Sequence, residues 1–289
     1  MVGSSNGLVC LLNDSPVTED DIAPLLWNPS IHKAIFLPTP EFPFSYMPMQ
    51  YYGFGYDPTT DDYILVRVLY LEEEEGDDLK NDELMVQIYT LATGTWRNIT
   101  NPGPGSVCFS LSVFVNGPVH WIASIEDDYI IYVNLSFDIR DNTFHKMALP
   151  ESLDDVNKLN IKVAVHDGSL ALFKSALTCC SVWVIKEYGV AESWTKLYDI
   201  DVGVTIWQVV GFAKIGEVLV INTVNGELLS YNPSSQQISY IDISAQLAPF
   251  YLDTYMESLA VLNVEDCASA RRGNELNLSS ARKGKRKIC

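Results

Sequence analysis

Four histidines, His32, His120, His145 and His166, are the chain's only imidazoles, and none stands at the His-x-x-x-His or His-x-His spacing that converges on a metal or a base site. No Gly-x-Ser-x-Gly elbow, phosphate loop or dinucleotide fingerprint is present. Carboxylates are plentiful, and a glycosidase-like reaction would need two of them facing each other across a cleft. The densest group, Glu72-Glu73-Glu74-Glu75-Gly76-Asp77-Asp78, is unbroken charge, whereas calcium loops alternate ligands with spacers. Asp57, Asp61, Asp62 and Asp138 sit in turn signatures, where a short carboxylate bonds nearby backbone N–H groups. The chain therefore reads as non-catalytic, with no cofactor and no metal. The alternative, a carboxylate hydrolase, requires two acids converging on one channel.

The residues suited to recognition are of another kind. Phe42, Phe44, Tyr46, Met47, Met49, Tyr51 and Tyr52 are interleaved with Pro40, Pro43 and Pro48. Aromatic and Met side chains on a loop are typical anchors of protein interfaces. The competing expectation is a loop folded back as a plug of the core. Glu72, Glu73, Glu74 and Glu75 form a second candidate contact, suited to a basic partner or serving solubility alone.

The net charge of −18 is unevenly spread: residues up to Asn263 hold 12 Lys+Arg against 34 Asp+Glu (−22), and the last 26 residues hold 7 against 3 (+4). A body this acidic repels nucleic-acid phosphates. No apolar run approaches the roughly 20 residues of a membrane helix. The first residues lack the basic start and apolar run of a secretory signal. The six scattered or adjacent cysteines fit no disulfide or zinc framework, so a cytoplasmic or nuclear protein with reduced thiols is expected.

What must position these residues is a repeat. A strand ends on an aromatic, a turn follows, and an apolar or aromatic residue comes about seven positions later: Trp27 with Ile35, Tyr89 with Trp96, Phe137 with Phe144, Tyr231 with Ile238. Trp183 to Trp194 is a stretched version. The leading aromatics are 62, 48, 46 and 48 residues apart, and the long gap holds the acidic insert. Period-two alternation and turn residues give four strands per repeat, as in Ser112–Val115, Val119–Ile122, Tyr132–Phe137 and Phe144–Leu149. Short strands repeating every 40–50 residues predict an all-β, kelch-like propeller of about five four-stranded blades. Tyr255–Leu262 reads as the first strand of an incomplete sixth blade, and residues 264–289 as a disordered basic tail.

Over residues 2–263 the chain resembles the F-box-associated domain of plant F-box proteins, including the S-locus F-box group. The matching phrases include Gly3-Ser4-Ser5-Asn6-Gly7-Leu8, Leu26-Trp27-Asn28-Pro29-Ser30 and Tyr52-Gly53-Phe54-Gly55-Tyr56-Asp57-Pro58. Asn116-Gly117-Pro118-Val119-His120-Trp121, Tyr231-Asn232-Pro233 and Tyr255-Met256-Glu257-Ser258-Leu259 continue the series in order. The resemblance implies a non-catalytic domain that captures the target of a Skp–cullin–F-box ubiquitin ligase. It implies a Skp adaptor as a partner only where an F-box precedes the domain. No phrase here resembles an F-box, so the propeller is expected to lack the upstream strands that would seal it. A truncated product without an independent role is the alternative expectation.

Overall fold

Apolar residues at consecutive positions, as in Tyr63-Ile64-Leu65-Val66, give a strand two oily faces, and stacking short sheets around an axis buries both. The computed structural model describes residues 1–12, 23–40, 49–71, 83–100, 107–109, 111–126, 130–153, 161–213, 216–244 and 255–260. They form five antiparallel blades arranged as a five-bladed β-propeller. Blade 1 is β1 (Gly3–Ser5), β2 (Leu8–Leu11), β3 (Leu25–Asn28) and β4 (Lys33–Phe36). Blade 2 is β5 (Met49–Asp57), β6 (Asp62–Leu71), β7 (Glu83–Thr90) and β8 (Thr95–Thr100). In blade 3, β9 (Val107–Phe109) and β10 (Val113–Phe114) both pair with β11 (Val119–Glu126), followed by β12 (Ile130–Asp138) and β13 (Thr143–Ala148). Blade 4 is β14 (Ile161–His166), β15 (Ser169–Ser175), β16 (Cys179–Ile185) and β17 (Trp194–Asp201). Blade 5 is β18 (Ile206–Phe212), β19 (Val218–Asn222), β20 (Glu227–Asn232) and β21 (Gln237–Ser244). Among the described residues the only helical elements are 3-10 turns at Glu151–Leu153 and Ala191–Ser193.

The alternation maps directly onto the interfaces between blades. Ile64, Val66 and Val68 of β6 face Val119, Trp121 and Leu135 of blade 3, while Tyr63 and Leu65 of the same strand face Leu8, Cys10 and Leu26 of blade 1. Blades 3 and 4 meet through Ile122, Leu170, Leu172 and Trp194, and blades 4 and 5 through Phe173, Val182, Val220 and Leu229. Two glycines of β5 are set by this stacking. A Cβ on Gly53 would lie 2.2 Å from Val119 Cγ1, and one on Gly55 would lie 2.1 Å from the Phe114 ring. No larger residue fits while blade 3 sits where it does.

The repeated aromatic is interblade packing, with one correction. Tyr89 pairs with Trp96 and Phe137 with Phe144, their rings 5.4 and 4.9 Å apart, and Tyr231 pairs with Ile238. In blade 1, however, Trp27 pairs with Ala34, and Ile35 pairs with Leu26. Side chains alternate between faces, so Trp27 and Ile35 point to opposite sides of the sheet. Trp27 keeps 40% of its surface, whereas Tyr89, Phe137 and Tyr231 keep 8% or less.

The expected strand of a sixth blade is absent in its described part: residues 255–260 carry no strand and lie against blade 1. Residues 264–289 lie outside the described residues.

Candidate partner-binding face

The register of the sheets gives the propeller two unlike ends. At one end, each first strand turns into the second and each third into the fourth, mostly through tight turns. Asn6, Asp61, Asn116 and Asp167 take positive φ in the first kind of turn; His32, Asn142 and Gln236 do so in the second, where Gly94 stands in blade 2. Asn and Asp are the side chains that tolerate this region most readily. The carboxylates expected at turns are used there. Asp57 accepts from the Thr59 N–H (2.9 Å) and the Thr60 hydroxyl (3.1 Å), Asp62 accepts from the Ala92 N–H (2.9 Å), and Asp138 accepts from the Arg140 N–H (2.9 Å) and its guanidinium. Asp61 accepts from the Tyr56 hydroxyl. These are the acids a hydrolase reading would recruit, and they cap turns at the rim.

The other end carries the long connections. Met49 pairs with Tyr70, and Leu71 with Glu83, so the chain segments 41–48 and 72–82 join blade 2 at the same end. Segments 13–22, 101–106, 127–129 and 154–160 also join strands at this end. In sequence these segments hold Asp14, Glu19, Asp20, Asp21, Glu41, the run Glu72–Asp78, Asp82, Asp127, Asp128, Asp154 and Asp155, against Lys80 and Lys158. The candidates Phe42, Phe44, Tyr46, Met47, Glu72, Glu73, Glu74 and Glu75 lie outside the described residues, but the strands they adjoin end on one face.

Tyr51 and Tyr52 are placed, and they do not form a common surface. Successive residues of β5 point to opposite faces: Tyr51 packs on the core between blades 2 and 3, and Tyr52 on the core between blades 1 and 2. Burial pushes the Tyr52 hydroxyl up to about 12. These two rings belong to the interblade packing.

Where connections are short on this face, apolar side chains stand exposed. Leu177, in the β15–β16 turn, keeps 75% of its surface, and Val224, in the β19–β20 turn, keeps 83%. Met49 and Trp207, near the entries of β5 and β18, keep 47% and 37%. None of these four depends on the aromatic repeat. Met49 belongs to the aromatic and Met segment singled out in the sequence, whereas the signal of Leu177 and Val224 was an apolar residue inside a short turn, as in Ala176-Leu177-Thr178 and Thr223-Val224-Asn225.

Along the axis, the innermost strands of all five blades line one cavity of about 250 Å3. Its described lining is backbone, serines and apolar side chains from β1, β5, β10, β14 and β18, with Lys162 as its charged member. The Lys162 ammonium donates to the carbonyls of Val209 (3.3 Å) and Val210, tying blade 4 to blade 5. Among the described residues no cluster of His, Cys, Asp or Glu is placed to hold a metal. His120 is buried; His32 occupies a turn; His145 and His166 lie beside Asp141 (3.6 Å) and Asp167 (3.3 Å). Burial raises the thiols of Cys10 and Cys180 to about 12, which keeps them protonated.

The profile of the F-box associated beta propeller domain matches residues 1–269. Among curated proteins, F-box protein CPR1 of Arabidopsis thaliana is 24% identical over 310 residues, covering 98% of this chain and 73% of its own length. F-box protein At4g22390 of the same plant is 28% identical over 215 residues, covering 68% of this chain and 52% of its own. F-box/kelch-repeat protein At3g23880, also from Arabidopsis thaliana, is 27% identical over 253 residues and covers 83% and 63%. The chain thus spans between about half and about three quarters of the length of these relatives. Among solved structures, a putative 6-phosphogluconolactonase from Bacteroides uniformis superposes with a TM-score of 0.44 at 11% identity, covering 83% of this chain and 68% of that one.

Proposed function

We propose that this chain, which belongs to the F-box associated β-propeller family, is the target-capturing part of a Skp–cullin–F-box ubiquitin ligase and has no catalytic role of its own. The observation that carries the reading is the inequality of the two ends. One end spends its polar residues on closing tight turns. The other gathers the long connections, most of the loop acids, and the exposed Leu177, Val224, Met49 and Trp207. Large apolar anchors inside a charged surround are what a protein interface uses. Steering by an acidic face favours partners that present basic residues. Ubiquitin transfer itself belongs to other subunits, and Skp docking requires an F-box joined to this domain.

The test is a fusion of residues 1–289 behind an F-box segment, reconstituted with Skp adaptor, cullin and the ubiquitin-charging enzymes in plant extract. Support is a ubiquitinated protein that disappears with the combined Leu177→Asp and Trp207→Ala substitutions while Skp binding persists. Ubiquitination indifferent to both substitutions would sink the proposal, as would turnover of a small molecule by the isolated chain.

A further inference from the structure

We infer that Tyr255–Ala260 is a latch holding the end of the propeller's chain onto its first blade, and that Asn28 is the catch. Blades 1 and 5 carry the same phrase at the same place, Asn28-Pro29-Ser30 and Asn232-Pro233-Ser234. In both, the side-chain oxygen closes the turn: Ser30 N–H donates to Asn28 Oδ1 at 2.9 Å, and Ser234 N–H donates to Asn232 Oδ1 at 3.0 Å. The two amide nitrogens then part ways. Asn232 Nδ2 stays within its blade, donating to Glu217 Oε1 at 3.2 Å. Asn28 Nδ2 donates to the backbone carbonyls of Ser258 and Ala260, both at 3.0 Å, from a fully buried position.

Further contacts surround the catch. The Tyr255 hydroxyl lies 2.6 Å from Ser30 Oγ and donates to Asn28 Oδ1 at 3.3 Å, while Ser258 N–H donates to Ser30 Oγ at 3.3 Å. Ser258 also rests on Gly7, where a Cβ would lie 2.0 Å from the Ser258 Cβ. The chain leaves blade 5 at Ser244, at the loop-bearing end, and is next placed beside Asn28, at the turn-bearing end of blade 1. Among the described residues, this segment is held to blade 1 through side-chain and backbone hydrogen bonds.

Asn28→Asp separates the latch from the turn. The carboxylate still accepts from Ser30 N–H, but it presents an oxygen where the two carbonyls need a donor. Amide hydrogen exchange of the full chain, resolved by peptide, should show residues 255–260 and strands β1–β3 opening roughly ten- to a hundredfold more often. Blades 2 to 4 should be unchanged, and Asp138→Asn, in the equivalent turn of blade 3, should leave 255–260 as in the parent. Unchanged exchange at 255–260 in Asn28→Asp, or an equal rise across all five blades, overturns the inference. If Asn28→Asp does not fold, Tyr255→Phe carries the test. A severalfold rise confined to 255–260 and blade 1 supports the latch, and no rise overturns it.

Discussion

The Tyr188 hydroxyl lies 3.0 Å from Nε2 of His120, with the two rings edge to face at 5.7 Å between centroids. His120 belongs to β11 of blade 3, and Tyr188 to the β16–β17 connection of blade 4, so this pair ties two blades at their turn-bearing end. The Asn134 side-chain amide lies 3.1 Å from His120 Nδ1. Both ring nitrogens therefore have a partner, one in blade 3 and one in blade 4. The imidazole is thus committed on both sides and buried, a packing histidine rather than a base.

Burial lowers the His120 pKa from 6.5 to about 4. Between those values the unfolded chain binds a proton that the folded chain refuses, so stability falls as pH falls through that window and is unaffected above it. The loss amounts to about 3 kcal/mol across the whole window at ~1.4 kcal/mol per pH unit. Asp138, held low by the Arg140 guanidinium, and Asp199, held low by Lys196, act in the same direction but only at more acidic pH, below the ordinary carboxylate range. Urea unfolding at pH 7.5, 6 and 5 should show this slope, and His120→Gln should flatten it. An identical slope in the variant would rule His120 out as its source.

Gly55→Ala should destabilise the fold by about 1–3 kcal/mol, the usual cost of overpacking a filled core. The new methyl meets the Phe114 ring at 2.1 Å with the backbone already extended, so sterics alone are at issue. A melting temperature lower by roughly 2–4 °C per kcal/mol is the readout. Phe114→Leu in the same chain should recover part of the loss. Full stability of Gly55→Ala would mean that blades 2 and 3 do not approach this closely.

Leu177→Ser and Val224→Ser should leave stability within about 0.5 kcal/mol of the parent, because both side chains are mostly in water. Against a captured target, at least one of them should weaken affinity about tenfold or more, the range of an interface anchor. Glu192→Ala, exposed at the turn-bearing end, should leave affinity unchanged. Affinity should also fall as salt rises, since the acidic segments adjoin strands that end on the loop-bearing face. Titration calorimetry at two ionic strengths measures both effects, and equal losses from both faces would refute the assignment.

The blades were legible because a strand with two buried faces needs apolar residues on both, and Ile64 through Val68 supply them without a helical period. The turns were legible through Asn6-Gly7, Asn116-Gly117 and Asp141-Asn142, which favour positive φ. Register was harder. Trp27 looked like the partner of Ile35 because both are large and apolar, yet a shift of one residue sends them to opposite faces. Tyr255–Leu262 read as a strand on composition, but Met256 and Leu259 keep 63% and 81% of their surface, and backbone carbonyls there are met by the Asn28 side chain. A contact spanning 230 residues leaves no local pattern; its single trace was the phrase shared by Asn28 and Asn232.

The final expectation concerns a row of polar side chains that crosses blade 2 strand by strand: Tyr52, Arg67, Gln87 and Asn98 are direct neighbours in register. Arg67 Nη1 donates to Gln87 Oε1 at 2.7 Å, Gln87 Nε2 donates to Asn98 Oδ1 at 3.0 Å, and the Arg67 guanidinium also donates to Gln50 Oε1 at 3.0 Å. Arg67 and Gln87 are fully buried, and burial lowers the Arg67 pKa from its ordinary value. Gln87→Leu should therefore cost roughly 1–3 kcal/mol, since it strips an acceptor from a desolvated cation. Arg67→Met should cost a similar amount by taking the guanidinium donor from the buried Gln87 oxygen. Removing both together should cost less than the two separately, by about 1 kcal/mol or more, because the buried Arg67–Gln87 contact can be lost only once. Denaturant unfolding of the four chains completes the cycle. Costs that simply add, within about 0.5 kcal/mol, would show that the row is a coincidence of register rather than a coupled network.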